Sequence, residues 1–179
     1  MTQAPHVEHD EVVEKIRRTP ERYDEIRELW KRHSIAEDAR DLPGLISTLT
    51  EDCVYELRPW GAAGAPVFRP GVAGFAGDAP SHAERWEGHE GATRFYTELL
   101  TAFPDIHFDL TDIVIGPQGV CEEARVTGTH RAAWLGHEPN PARSEHLTWN
   151  VVIFFPWDEE RGLFRGEKVY ADTFLDSTS

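Results

Sequence analysis

Apolar positions recur at helical spacing in the first part of this chain and alternate with a period of two in the last part. Residues 1–18 are strongly charged, with Val12, Val13 and Ile16 at helical spacing, and predict a short N-terminal helical extension. The stretch "RTPERYDEIRELWKRHSIAEDARD" gives a clear helix start. Thr19 can cap it, Pro20 suits the first helical position, and Glu21 favours the positive end of the dipole. Ile26, Leu29, Trp30, Ala36 and Ala39 form an apolar stripe along it, interrupted by His33. Asp41 is placed to cap a shorter helix in "LPGLISTLT", and "EDCVYEL" reads as a short strand. "GHEGATRFYTELLTAFPD" then predicts a helix with Phe95, Leu99 and Phe103 on one stripe, Tyr96 and Leu100 beside it, and Pro104 as its stop. Four strand-like runs follow: "IHFDLTDIVIG", "GVCEEARVTGTHRAAWL", "SEHLTWNVVIFF" and "GEKVYADTF". The links "PQ", "GHEPNPAR" and "PWDEERGLF" carry turn chemistry, so the four runs are expected to form an antiparallel meander.

Between the first strand and the second long helix, residues 58–87 break every periodicity. They are rich in Gly, Ala and Pro yet carry Trp60, Phe68, Phe75 and Trp86. A solvated linker has no use for four large aromatics, so this segment is expected to be a lid-like insertion. Helices gathered before a meander predict an α+β fold in one domain, 1–179: N-terminal helices packed on a curved, mainly antiparallel sheet. A strongly twisted sheet wrapped around them makes a cone-shaped α+β barrel with a cavity between the layers.

Composition narrows the partners. Thirty-two acidic against eighteen basic residues give a net charge of −14 at pH 7. Such a surface repels phosphate backbones and anionic lipids, so neither nucleic acid nor membrane is an expected partner. No signal-peptide pattern opens the sequence, and a cytoplasmic location is expected. Cys53 and Cys121 then read as reduced, buried thiols. The nine histidines lack metal-ligand spacing, "GHEGA" not being His-Glu-x-x-His, so no metal site is expected. No phosphate-binding glycine loop and no Gly-x-Ser-x-Gly elbow is present either.

The run "EGHEGATRFYTELLTAFPDIHFDLTDIVIGPQGVCEEARVTGTHRAAWLG", with "FRGEKVYADTF" after it, resembles the nuclear transport factor 2-like superfamily and, within it, the SnoaL-like polyketide cyclases. The resemblance spans residues 26 to 175. It implies a cone, usually dimeric, with a deep apolar pocket, and ring closure by intramolecular aldol addition without a metal or an organic cofactor. It also implies an acid–base Asp on the last strand, here Asp172, aided by a His on an adjacent strand, either His146 or His130. The insertion at 58–87 and an expanded turn at 156–165 depart from the cyclases, so the family's substrate does not carry over.

Asp172 shares a strand face with Lys168, Tyr170 and Phe174, opposite Glu167, Val169, Ala171 and Thr173. The first face carries the larger amphipathic groups and is expected to be the pocket wall. Burial among aromatics would raise the carboxyl from its usual ~3.9 toward values useful for proton transfer. His146 shares a face with Thr148 and Asn150, a polar set suited to orienting the Asp or an enolate oxygen. Glu123 and Arg125 alternate with apolar neighbours and reach a ligand if the wet face lines the cone. Tyr55, Tyr96, Trp149 and Tyr170, with Trp60 of the long loop, complete the candidate binding set. The expected function is Asp/His acid–base chemistry on a hydrophobic, oxygenated, polyketide-like or aromatic small molecule, by aldol-type cyclisation or isomerisation. A lyase, dehydratase or hydrolase in the same pocket is the alternative, as is a binding module without chemistry.

Overall fold

The computed structural model describes residues 20–59, 84–135, 138–139 and 146–171. Three helices, α1 (Pro20–Asp38), α2 (Leu42–Ile46) and α3 (Gly88–Ala102), pack on one sheet. Its strands are β1 (Leu49–Pro59), β2 (Glu84–Glu87), β3 (His107–Gly116), β4 (Gly119–Thr129), β5 (His146–Asp158) and β6 (Leu163–Ala171). They lie in the order β2-β1-β6-β5-β4-β3. Only β1 and β6 run parallel; the predicted meander β3 to β6 is antiparallel throughout. This six-stranded mixed sheet is open and has the α+β cone fold. No described helix is long and apolar enough to cross a membrane.

Local chemistry accounts for the element ends. Pro20 begins α1 as expected, and the Asp41 side chain caps α2 by accepting from the Gly44 N–H at 3.1 Å. The inward face of α1 is Ile26, Leu29, His33 and Ala36, all buried. His33 therefore sits in the middle of the stripe it was expected to interrupt, and Ala39 is exposed instead. On α3, Phe95, Tyr96 and Leu99 are buried against β1 and β2, with Phe103 just beyond the helix.

Four strand expectations are corrected. β1 runs on to Pro59, and Glu84–Glu87 pairs with it as β2, so both ends of the 58–87 insertion belong to the sheet. Residues 60–83, with Trp60, Phe68 and Phe75, lie outside the described residues, as do 1–19. β4 stops at Thr129 rather than continuing to Leu135, because the Arg131 N–H turns to the Ala102 carbonyl at 2.7 Å at the end of α3. β5 continues through Pro156 to Asp158: its register against β6 shifts between Phe154 and Trp157, leaving the turn at 159–162. There the Asp158 carboxylate accepts from the Glu160 and Arg161 N–H groups, and Gly162 takes φ +65°.

The fourth correction concerns β6. Its buried positions include Glu167, Val169 and Ala171, while Lys168 and Tyr170 lie on the other face. The pocket wall is thus the face opposite to the one expected. The reason is the parity set by the parallel pairing with β1, where Tyr55, fully buried, stands beside Glu167. Asp172 lies outside the described residues. Cys53 and Cys121 are free thiols, Cys53 buried and Cys121 half-buried.

Gly166 is where β6 meets β1 after a register shift, at φ +103°, and a Cβ there would stand 2.1 Å from the Val54 carbonyl oxygen. Both the strained φ and the backbone overlap act against any side chain. Gly166→Ala should lose at least about 2 kcal/mol in denaturant unfolding, the usual scale for such strain; an unchanged midpoint would show that this pairing is not as close as described.

Candidate active site

Between the sheet and α1 lies a set of polar groups that strand and helix periodicity puts indoors. His33 is fully buried and Glu167 is 3% exposed. The Thr48 hydroxyl donates to the Leu45 carbonyl at 2.6 Å, so toward His33 Nδ1, 2.6 Å away, it is an acceptor. That places a proton on Nδ1 and turns Nε2 toward Glu167. The Tyr96 hydroxyl donates to Glu167 Oε1 at 2.6 Å, and Tyr55 donates to Tyr96 at 3.3 Å. His33 Nε2 is 3.0 Å from the same Glu167 oxygen. Two lone pairs cannot face each other at that distance without cost, so one proton is shared between the imidazole and the carboxyl group. Burial first, and the charge of Glu167 second, push both phenols well above their ordinary range, so they stay protonated donors.

Glu167 also lines a cavity of about 40 Å³ walled by Leu57, Phe95, Leu99, Phe103, Trp134 and Trp149. A second carboxyl group, Glu37, reaches the same cavity from the last turn of α1. Burial raises Glu37 well above the usual carboxylate range, and the neighbouring Glu167 and Glu122 raise it further. Glu122 is the third inward carboxyl group. It is 8% exposed on β4, accepts from the Trp30 indole N–H at 2.7 Å, and is pushed by burial to about 7. Two carboxyl groups facing one apolar cavity cannot both ionise cheaply, so this arrangement offers a proton donor and a proton acceptor side by side.

None of these three carboxyl groups, nor His33, was singled out from the sequence, although each carried a signal. His33 and Glu37 are four residues apart on one face of α1, His33 buried and Glu37 half-buried, Glu122 alternates in phase with Val120, Ala124 and Val126, and Glu167 with Val169 and Ala171. Of the residues the sequence did suggest, Tyr55, Tyr96 and Trp149 are brought to this interior. His146 and Asn150 are exposed on the outer face of β5, and Glu123 and Arg125 are exposed on the outer face of β4. His146 lies near Asp105, at 4.0 Å, away from the cavity. Tyr170 is half-buried on the outer face, where it accepts from Arg58 at 3.3 Å. His130 is buried and stacked on Phe103 at 5.1 Å between ring centres, its Nε2 without a hydrogen-bond partner among the described residues.

The comparisons with known proteins agree with this architecture. The family model of the SnoaL-like polyketide cyclases matches residues 72–162. A protein from Jannaschia sp. CCS1, assigned to the SnoaL-like polyketide cyclases, is 17% identical with a TM-score of 0.63, over 86% of this chain and 89% of that one. An NTF2-like protein from Burkholderia xenovorans LB400 is 14% identical with a TM-score of 0.57, over 84% and 91%. A SnoaL-like polyketide cyclase from Agrobacterium tumefaciens C58 is 9% identical with a TM-score of 0.56, over 83% and 91%. At these identities the shared property is the fold. No curated protein sequence matches the chain.

Glu122 makes the site visible in stability. Its carboxyl binds its proton more tightly in the folded chain, at about 7, than at the ordinary 4.5. The native state therefore holds more protons between those values, and its stability falls as pH rises from 4.5 toward 7. The loss attributable to Glu122 is on the order of 3 kcal/mol. Glu122→Gln should remove that part of the slope in urea unfolding; a variant with the slope of the wild type would show that Glu122 ionises freely in the fold.

Proposed function

The chain belongs to the SnoaL-like polyketide cyclase family, and from that premise we propose that it is an acid–base enzyme acting on a hydrophobic, enolisable carbonyl compound, with Glu37 and Glu167 as its working pair. The observation that carries this reading is the pairing of two carboxyl groups in one aromatic-walled cavity, one of them backed by His33 and Tyr96. Family membership supports a cyclase- or isomerase-type reaction in that cavity.

In this reading the C–H bond next to a substrate carbonyl breaks, and its proton passes to the Glu167–His33 set at Oε2 of Glu167, since Tyr96 and His33 both engage Oε1. Glu37, held protonated, donates its proton to the carbonyl oxygen as the enol forms. For isomerisation the first proton returns to a different carbon of the enol and Glu37 recovers its own from the enol hydroxyl. For aldol closure the enol carbon bonds to a second carbonyl carbon, whose oxygen takes the proton from the Glu167–His33 set, and Glu37 again recovers its own. The proton count is unchanged over either cycle. Tyr96 keeps Glu167 oriented, and the aromatic walls hold flat apolar surface while excluding water. A ring-sized ligand exceeds about 40 Å³, so binding displaces part of the wall. Trp134 is the wall residue on irregular backbone, next to Leu135 at φ +50°.

The test is deuterium incorporation from D₂O into a panel of enolisable ketones of increasing size, α-tetralone among them, followed by NMR. Wild-type protein should accelerate exchange, and Glu37→Gln and Glu167→Gln should each lower it by roughly 100-fold or more, the usual contribution of a positioned acid or base. Asp172→Asn, at the carboxylate that the sequence suggested, is the contrasting variant. Full activity in both glutamine variants, with loss in Asp172→Asn, would return the chemistry to the carboxylate that the sequence suggested. No exchange above background with any ketone would remove the enolisation reading altogether.

A further inference from the structure

The proposed reaction uses Glu37 and Glu167 but leaves Glu122 without a role, although it is a buried carboxyl group in the same interior. Its position is constrained from two sides. Strand parity on β4 turns it inward with Val120 and Ala124, and one of its oxygens is fixed by the Trp30 indole at 2.7 Å. Trp30 and Glu37 are seven residues apart on α1, two turns of one helix face, which spans about 10 Å. Glu122 is thereby tied to the same face of α1 that carries Glu37. Glu167 on β6 is the charge that acts on Glu122, Cys121 stands beside it on β4, and Glu37 itself feels Glu167, Glu122, Asp38 and Arg40. Among these, Arg40 is the positive charge and acts on Glu37 in the sense opposite to the acids.

We propose that Glu122 is a positioning residue for the working pair: clamped by Trp30 beneath α1, its negative charge favours the proton-bearing form of Glu37, the form the acid step needs. The role rests on the reading of Glu37 as the acid, and it acts through space, since Glu122 is not among the residues that line the cavity. The two-turn rise between Trp30 and Glu37 sets the scale of the effect. Two like charges about 10 Å apart, in a medium of effective dielectric about 20, change each other's proton affinity roughly tenfold. Bulk water would reduce that to a small fraction, so the burial of Glu122 is what gives it reach.

The experiment is a titration of the Glu side-chain carboxyl carbons by NMR in uniformly labelled wild-type protein and in Glu122→Gln, which keeps an acceptor for Trp30. The Glu37 midpoint should fall by about one pH unit in Glu122→Gln, the tenfold change in affinity. In the wild-type protein the Glu37 signal should also show a second inflection at the midpoint of Glu122 itself, a readout that needs no variant to fold. In the ketone exchange assay the alkaline limb of kcat/KM should move down by the same amount while KM stays constant. A Glu37 midpoint unmoved by the substitution, or a wild-type Glu37 signal with no inflection at the Glu122 midpoint, would overturn the proposal. The coupling and the enolisation reading fail separately. A shifted Glu37 midpoint without ketone exchange removes the enzymatic reading and keeps the coupling; exchange with an unshifted midpoint does the reverse.

Discussion

One oxygen atom, Oε1 of Glu167, joins the three elements that enclose the cavity. It receives the Tyr96 hydroxyl of α3 at 2.6 Å and lies 3.0 Å from His33 Nε2 of α1, while its own strand, β6, is paired in parallel with β1. Removing one partner from such a buried, charge-assisted set leaves the others unpaired, at a cost of about 3–5 kcal/mol. Exchanging the whole set for apolar residues of similar volume is often neutral or stabilising. The cluster is therefore a poor investment for stability alone. What it does secure is orientation: with Thr48 fixing Nδ1 and Tyr96 fixing Oε1, the imidazole and the carboxyl group have little freedom left.

The rest of the interior follows from that fixed point. Because Glu167 faces inward, Val169 and Ala171 do too, and Lys168 and Tyr170 are turned out to meet Glu56 and Arg58 on the neighbouring strand. Because His33 faces inward, Glu37 one turn later reaches the same space, and Trp30 one turn earlier meets Glu122. Three carboxyl groups are thus drawn toward one interior, with His33 engaged by Glu167 and His130 stacked on Phe103. In that setting like charges act on one another over distances at which surface groups would be screened.

The fold was legible in the sequence to a large degree, and the site much less so. Caps, helix stops and turn chemistry are local, so Pro20, Asp41, Pro104 and the meander could be read from a few residues each. The face of a strand is not local. "GEKVYADTF" has two self-consistent readings that differ by one residue, and choosing the face with the larger side chains selected the outer one. The same size bias passed over His33, taken as a break in an apolar stripe, and favoured His146, an exposed residue in a polar row at the sheet surface. Charged residues on an inward face look like errors of pattern when only one chain is read. Here Glu37, Glu122 and Glu167 are all of that kind.

Such breaks in pattern tend to mark functional positions, because folding alone would remove them. The three acids support that argument unequally. Glu167 is fully engaged by neighbours and could serve structure as well as chemistry, and Glu122 has its indole. Glu37 differs: its carboxyl group makes no side-chain hydrogen bond among the described residues, faces an apolar cavity, and holds its proton more tightly because of the other two. Arg40 acts on it in the opposite sense, but burial and the two acids outweigh that charge. In the proposed reaction, a proton kept on Glu37 serves a substrate that enters the cavity and accepts it. That asymmetry, more than the presence of acids as such, is what favours Glu37 as the acid of the proposed reaction.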